Sequence, residues 1–142
     1  MVKSGQKGDF VELTVAANLR NSGCTVYFPF GNDSKADLIA EYNNKLYKIQ
    51  CKYAHVTPTE DGGIDYAKFK TYSTARSGEK IPYTKNDVDF FATIVADRTY
   101  LIPIEDITSI EQRLRFSRPK NNQTKRIMYA DNYIMESVLQ KL

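Results

Sequence analysis

The fold of this chain is decided by two short stretches of its sequence, ADLIA at residues 36–40 and LYKIQCK at residues 46–52. The first stretch places an acid among small and branched apolar residues, and the second alternates polar with apolar residues. Between them, the run YNNK at residues 42–45 has the polar composition of a tight turn. The two stretches therefore predict a β-hairpin of adjacent strands.

The alternation in the second strand predicts a buried face and a polar face. Side chains on a strand point to opposite faces with a period of two, so Gln50 and Lys52 share one face, whereas Ile49 and Cys51 share the other. The hairpin also brings Asp37 to the end of the strand where Gln50 and Lys52 lie. An acid, an amide oxygen and a lysine in one polar cleft suit a divalent cation beside a phosphate group.

Length and composition indicate an ordinary globular protein. The 142 residues predict one domain spanning 1–142, large enough to bury a core without a metal or disulfide bonds. No apolar run is long enough for a membrane span, and the N-terminus lacks the apolar region of a signal peptide. We therefore expect a cytoplasmic protein with no membrane partner. Cys24 and Cys51 have neither a pairing pattern nor metal-ligand spacing, and we expect both to be buried thiols.

The rest of the chain predicts further strands and two helical regions. The predicted elements are a helix at 6–21, strands at 24–28, 88–96 and 100–104, one or two short strands within 64–74, a loop with at most a short helix at 77–87, and helical spacing at 131–142. Pro103 indicates that the strand containing it lies at a sheet edge or ends there.

Glu12 is the unusual residue of the first helix. Apolar residues cover most of the circumference of that helix, which predicts that the helix is well buried, and Glu12 falls inside the apolar sector. A buried carboxylate must be paired or must bind a cation, because burying it alone costs several kcal/mol. The alternative is a partly exposed glutamate near the first turn, stabilised by the helix dipole.

The net charge of +3 is modest, but basic residues are concentrated in two stretches of the sequence. Such stretches fit a polyanionic partner, because each neutralised phosphate releases counterions. The alternative is that they are solvated loops. The candidate nucleic-acid contacts are Lys68, Lys70, Arg76 and Lys80 in the first stretch and Arg113, Arg115, Arg118, Lys120, Lys125 and Arg126 in the second.

The order of these elements and residues resembles the PD-(D/E)xK nuclease superfamily. The resemblance lies in Glu12 on the first helix, Asp37, the Gln50-x-Lys52 motif, and the runs DVDFF at 87–91 and YLIP at 100–103. Glutamine in place of an acid is typical of the group I intron homing endonuclease branch. The resemblance implies an α/β (α+β) fold with a restriction-endonuclease-like core, in which helices flank a central mixed β-sheet and a β-rich insertion follows the motif strand. It covers a core of about 5–105 and leaves a basic C-terminal extension of about 106–142.

The resemblance also implies a role for each residue of the cleft. Asp37 would be the direct metal ligand, with Gln50 and the backbone carbonyl of Cys51 beside it, and Glu12 would reach the metal directly or through water. Lys52 would contact the scissile phosphate and position or help deprotonate the attacking water. The implied catalytic set is therefore Glu12, Asp37, Gln50 and Lys52, with Mg²⁺ as the cofactor and Mn²⁺ as a substitute.

The implied function is a magnesium-dependent endodeoxyribonuclease that cuts a specific double-stranded DNA target, as homing endonucleases do. A small single-domain enzyme that recognises a long site is expected to work as a homo-oligomer, a dimer or a tetramer. A Holliday-junction resolvase and a catalytically silent DNA-binding module of the same fold remain alternatives. His55 is the only histidine, so histidine-based nucleases and serine-histidine hydrolases lack their parts.

Overall fold

The computed structural model describes residues 4–117 and 127–142. The elements in chain order are α1 (Ser4–Asn21), β1 (Thr25–Tyr27), β2 (Leu38–Tyr42), β3 (Lys45–Cys51), β4 (His55–Pro58), β5 (Ile64–Lys70), β6 (Tyr72–Thr74), β7 (Lys80–Pro82), β8 (Phe90–Val95), β9 (Arg98–Pro103), β10 (Glu111–Arg115) and α2 (Met135–Leu139), with 3₁₀ turns at Ile104–Asp106 and Ala130–Tyr133. In the described part of the chain, no helix combines the length and the apolar composition that a membrane crossing requires.

A five-stranded sheet in the order β1-β2-β3-β8-β9 forms the centre of the fold. Its neighbours pair antiparallel except β3 and β8, which run parallel, so the sheet is mixed as predicted. A parallel pair needs a long crossover connection, and here β4 to β7 lie within it. These strands are the β-rich insertion that the sequence predicts. Pro103 ends β9 at the edge of the sheet, which confirms the interpretation of that proline.

Both helices pack on one face of the central sheet. Val15 and Leu19 of α1 and Met135 of α2 are buried against Ile49 and Cys51 of β3. The prediction that α1 is well buried is wrong, because only one side of the helix meets the sheet. On its outer side Phe10 is 62% exposed and Leu13 is 65% exposed. Both cysteines are buried free thiols, as expected.

A second, three-stranded sheet in the order β10-β5-β4 covers the opposite face. Ala67, Phe69 and Leu114 point inward from it and pack in one cluster with Phe91 and Val95 of β8. The predicted fold class is confirmed, with the difference that the described helices lie on one face and this β layer covers the other. The segment after residue 105 supplies β10 to that layer and α2 to the other face.

Three strands lie where the sequence interpretation placed none, and the first of them is β4 at His55–Pro58. β7 pairs with β6 inside the segment 77–87 that was predicted to be a loop, and β10 pairs with β5 inside the second basic stretch. In β10 the buried Gln112 and Leu114 alternate with outward charged residues. β10 therefore alternates with a regular period of two, but its charged residues make the strand difficult to recognise from composition. They are tolerated because the outward side chains face solvent and not a second layer.

The β2–β3 hairpin confirms the prediction made from residues 36–52. Asn43 and Asn44 form its turn with φ angles of 52° and 64°. Positive φ at both central residues is the geometry of a type I′ turn, which matches the twist of the flanking strands. β2 begins and ends slightly later than predicted, whereas β3 begins and ends slightly earlier. Asp37 therefore directly precedes β2, and Lys52 directly follows β3.

Asn44→Gly is expected to stabilise the protein, because glycine adopts the positive φ of this turn position with no steric cost. The expected gain in the free energy of unfolding is about 0.5 kcal/mol, whereas Asn44→Ala should lose about 1 kcal/mol. Urea unfolding of the two variants beside the unmodified chain measures both changes. Equal stability of the glycine and alanine variants would contradict the turn assignment.

Candidate active site at the end of the β2–β3 hairpin

The hairpin fixes Asp37 by its backbone and by its side chain. The Asp37 N–H donates to the Ile49 carbonyl at 2.9 Å, and the Cys51 N–H donates to Asp37 Oδ2 at 2.9 Å. In a strand the N–H and C=O of one residue point to the same side, so the Cys51 carbonyl also lies on the Asp37 side. A carboxylate and a backbone carbonyl are thereby brought together at the end of the hairpin.

Glu12 reaches the same place from α1. It lines a cleft of 270 Å³ with Asp37 and with residues of the loop that precedes β2, namely Phe28, Pro29, Gly31, Asn32, Ser34 and Ala36. Burial raises the pKa of Glu12, and the negative charges of Asp37 and Asp9 raise it further. Glu12 is partly exposed rather than enclosed by the core. The structure therefore brings the two predicted carboxylates together.

The protonation of Asp37 and Cys51 follows from their surroundings. Burial raises the pKa of Asp37, while the hydrogen bond from the Cys51 amide and the charge of Lys52 oppose that rise. Burial, with the charges of Asp37 and Glu12, also raises the pKa of the Cys51 thiol well above its ordinary value. The Cys51 side chain packs in the core cluster beneath α1, which leaves its backbone as its contribution to the site.

Lys52 follows β3 and is held by both its backbone and its side chain. Its N–H donates to the Ala92 carbonyl at 2.9 Å, and its own carbonyl accepts from Thr93 Oγ1 at 2.7 Å. Its Nζ donates to the Tyr72 carbonyl at 3.4 Å. Burial lowers the pKa of Lys52, the charge of Asp37 raises it, and the charge of Lys70 lowers it. The ammonium is thus partly desolvated and within electrostatic range of the Asp37 carboxylate.

Gln50 lies on β3 opposite Phe91 of the parallel strand β8. By the alternation of the strand its side chain is on the same face as that of Lys52, and it is partly buried. Glu12, Asp37, Gln50 and Lys52 therefore all lie at or beside the end of the β2–β3 hairpin, with Glu12 reaching it from α1.

The donor groups at this end of the hairpin suit a hard divalent cation. Among the residues that the structure describes, no three or more His, Cys, Asp or Glu side chains are grouped to hold a metal ion. A cation here would therefore need neutral oxygen ligands beside Asp37 and Glu12, and the Gln50 amide and the Cys51 carbonyl are such groups. Carboxylate, amide and carbonyl oxygens are the ligands that suit Mg²⁺ and Mn²⁺.

Tyr83 belongs to this site, although the sequence interpretation gave it no role there. Lys52 Nζ lies 5.1 Å from the centre of its ring, and Lys35 Nζ lies 5.8 Å from it. Burial raises the pKa of Tyr83, as do the charges of Asp37 and Asp87, so its phenol is neutral near pH 7. The sequence signal was present only as a tyrosine within a basic stretch.

The predicted DNA contacts that the structure describes lie on two neighbouring surfaces. On the outer face of the second sheet, Lys68 lies opposite Arg113, and Arg115 lies opposite Tyr66. The Arg113 guanidinium is 4.5 Å from the Tyr66 ring centre, and Arg115 is 5.6 Å from it. Two ion pairs offset part of the positive charge, namely Lys68 with Glu111 at 3.6 Å and Arg115 with Asp65 at 2.9 Å.

The other surface is the β6–β7 hairpin together with Lys70 at the end of β5, close to Lys52. Lys70 and Lys80 place their ammonium groups 5.9 and 5.1 Å from the ring centre of Tyr72, and Arg76 is exposed between β6 and β7. Four further predicted contacts lie outside the described residues: Arg118, Lys120, Lys125 and Arg126.

Comparisons with known proteins agree on one family and one fold. Residues 2–136 match the family model described as PD-(D/E)XK endonuclease. Protein 5.3 of Escherichia phage T7 is 28% identical over 96 residues, which cover 68% of this chain and 76% of that relative. The solved structure of the bacterial homing endonuclease I-Ssp6803I matches with a TM-score of 0.73 at 21% identity, over 99% of this chain and 95% of the other. At that identity the likeness shows a shared fold.

Proposed function

Because the chain belongs to the PD-(D/E)XK endonuclease family, we propose that it is a magnesium-dependent endodeoxyribonuclease. It hydrolyses phosphodiester bonds at a specific double-stranded target, in the manner of a homing endonuclease, and Mn²⁺ replaces Mg²⁺. One observation carries the proposal. The Asp37 carboxyl is fixed by the Cys51 N–H at the end of the hairpin, and Glu12 and the charge of Lys52 are both within electrostatic range of it.

Four groups of this chain would hold the ion. They are the carboxylate of Asp37, the amide oxygen of Gln50, the backbone carbonyl of Cys51, and the carboxylate of Glu12, directly or through water. A divalent ion bound there would polarise the phosphate and lower the pKa of the attacking water. The raised pKa of Glu12 supports this assignment, because burial and the charge of Asp37 both disfavour the ionised carboxylate, and a bound cation would stabilise it.

Lys52 supplies the positive charge of the chain itself. Its ammonium is partly buried and held by the Tyr72 carbonyl, so it does not have to be reorganised when the substrate arrives. We assign it to the scissile phosphate, where it stabilises the negative charge that develops in the transition state and positions the attacking water. Asp37 and Glu12 would hold the ion that binds the attacking water at the same centre.

The outer face of the second sheet and the β6–β7 hairpin form the proposed DNA-contact surface. Lys68, Lys70, Arg76 and Lys80 are point or flexible charges suited to phosphates, since most contacts to a duplex fix the backbone and do not read bases. Arg113 is stacked on Tyr66 and presents a planar fork, which favours base edges or bidentate phosphate contacts. Arg115, Arg118, Lys120, Lys125 and Arg126 are also proposed to contact DNA.

Arg113→Ala is expected to weaken binding to target DNA and to lower the slope of log K against log salt by about one. The reason is that the guanidinium lies on the outward face of β10 beside Lys68 and neutralises one phosphate there. Fluorescence anisotropy over a range of salt concentrations, with Ca²⁺ in place of Mg²⁺, measures both quantities. Lys45→Ala, an exposed basic residue at the opposite end of the hairpin from Asp37, is the control. An unchanged salt slope for Arg113→Ala would contradict the surface.

Cleavage with defined substrates tests the function itself. Supercoiled plasmids that carry candidate sites should be cut in both strands with Mg²⁺ or Mn²⁺ and left intact with EDTA. A four-way junction and a linear duplex of equal sequence distinguish the alternatives, since strong sequence-independent preference for the junction would favour a resolvase. DNA binding without cleavage at any metal would instead indicate a silent binding module.

We also propose that residues 1–142 form one domain that acts as a symmetric homo-oligomer, a dimer or a tetramer. A small domain covers little of a long target, and a two-fold assembly matches the pseudo-symmetry of duplex DNA. Light scattering of the protein with and without a target duplex tests the assembly, and a monomer in both states would contradict it.

A further inference from the structure

Lys52 contacts the β6–β7 hairpin and Tyr83 after it, a segment that contains none of the residues of the metal site. β6 and β7 pair as a short hairpin, and Tyr83 follows β7 directly. The Tyr83 N–H donates to the Thr71 carbonyl at 3.3 Å, which closes the base of this hairpin. The neighbouring residue Tyr72 offers its carbonyl to Lys52 Nζ. The hairpin therefore supplies a backbone acceptor and an aromatic ring to the same ammonium group.

The Tyr83 ring is itself fixed by the core. It packs edge-on against Phe91, with ring centres 5.5 Å apart and planes at 78°, and Phe91 is fully buried on β8. β8 pairs directly with β3, the strand that Lys52 directly follows. The ring and the lysine are thus held by two neighbouring strands of the central sheet. Lys52 Nζ lies 5.1 Å from the ring centre, which is within the range of a cation–π interaction.

We propose that Tyr83 is a positioning residue that holds the Lys52 ammonium against the site through its aromatic ring. The proposal rests on the proposed function, because it takes Lys52 as the group that meets the scissile phosphate. A lysine has a flexible stem and a single point charge, and its bond to the Tyr72 carbonyl at 3.4 Å is long. The carbonyl restrains the ammonium from one direction, and the ring provides the second restraint.

The ring, and not the hydroxyl, is the part that acts. Tyr83→Phe retains the ring and should leave the single-turnover cleavage rate within about twofold of the unmodified chain. Tyr83→Leu removes the ring and should lower that rate by roughly 100-fold, the cost of a reacting group that is displaced by about 1 Å. The affinity for target DNA in Ca²⁺ should stay unchanged, because the ring acts through Lys52 and not on binding.

Two comparisons separate positioning from a general loss of structure. Tyr47→Leu deletes a ring that packs edge-on against Phe90 in the same way, with centres 5.7 Å apart, and should keep full activity at a similar loss of stability. In a Lys52→Met background, adding Tyr83→Leu should cost no further activity, since the effect of the ring passes through the lysine. A rate for Tyr83→Leu that equals that of the unmodified chain, or full additivity in the double variant, overturns the proposal.

A measurement that needs no cleavage tests the same contact. In protein labelled with ¹³C at lysine Cε, the Hε protons of Lys52 should be shifted upfield by the ring, and the spectrum of Lys52→Met assigns them. Tyr83→Phe should keep that shift, and Tyr83→Leu should move the resonance toward those of exposed lysines. An unmoved Lys52 resonance in Tyr83→Leu overturns the proposal even if the protein cuts no DNA. Absence of cleavage by the unmodified chain and by every variant, with the shift as expected, contradicts only the proposed function.

Discussion

Asp37→Asn is expected to lower the single-turnover rate of DNA cleavage by roughly a thousandfold or more. Asparagine keeps the size of the side chain and an oxygen that accepts the hydrogen bond from the Cys51 N–H. The substitution therefore removes one negative charge while it preserves the hairpin. Because Gln50 is neutral, Asp37 and Glu12 are the only carboxylates of the proposed metal site, and losing either halves its charge.

The same variant should bind Mn²⁺ much more weakly, as measured by calorimetry, while its affinity for target DNA without divalent ions is retained. Asp131→Asn is the control. Asp131 is exposed in the 3₁₀ turn before α2, and its substitution removes an equal charge from the protein. Cleavage by Asp37→Asn at the rate of the control, with Mg²⁺ present, would exclude Asp37 as the metal ligand.

The hairpin could be predicted from sequence because its signals are local. The signals are two asparagines that adopt positive φ, a strand with alternating polarity, and an acid before a short apolar run. Each of them depends on only a few neighbouring residues. The antiparallel register pairs Leu38 with Ile49, which brings Asp37 to the end of β3 where Cys51 lies. Glu12 was identified for a different reason, since a carboxylate among apolar residues requires a partner, and Asp37 beside it makes a cation the partner that fits.

The remaining features depend on contacts between distant parts of the chain. β10 is a strand because β5 offers it a partner, and its sequence EQRLR is too highly charged to indicate this by composition. Tyr83 contacts Lys52 because β6 and β7 fold back over the end of β3. No periodicity in the sequence predicts this contact. The outer side of α1 is apolar in sequence but exposed in the structure, so hydrophobicity alone overestimates how much of a helix is buried.

Lys52→Met is expected to change stability and activity in opposite directions. Cleavage should fall by roughly a thousandfold, because the group that stabilises the transition-state charge is lost. The free energy of unfolding should rise by about 1 kcal/mol at neutral pH, since methionine fills a similar volume without a charge that burial disfavours. The structure supports this through the pKa of Lys52, which burial lowers below its ordinary value of 10.5.

The sign of the pH dependence follows from that lowered pKa. Between the folded-state pKa and 10.5 the unfolded chain binds more protons than the folded chain, so the stability of the unmodified protein rises with pH through this window. The advantage of Lys52→Met should therefore be largest below the window and should shrink as the pH approaches 10.5. Chemical unfolding at several pH values measures the difference.

Lys48→Met is the matched control for both effects. Lys48 lies on the same face of β3, and its Nζ also donates to a backbone carbonyl, that of Asn86 at 2.7 Å. It belongs to no part of the proposed metal or phosphate site, so its loss should leave cleavage unchanged. If Lys52→Met cut DNA as fast as Lys48→Met, the hairpin would be a structural feature and catalysis would have to be sought elsewhere. A lysine that is retained at a cost in stability, and whose removal abolishes cleavage, is instead what selection for activity would keep.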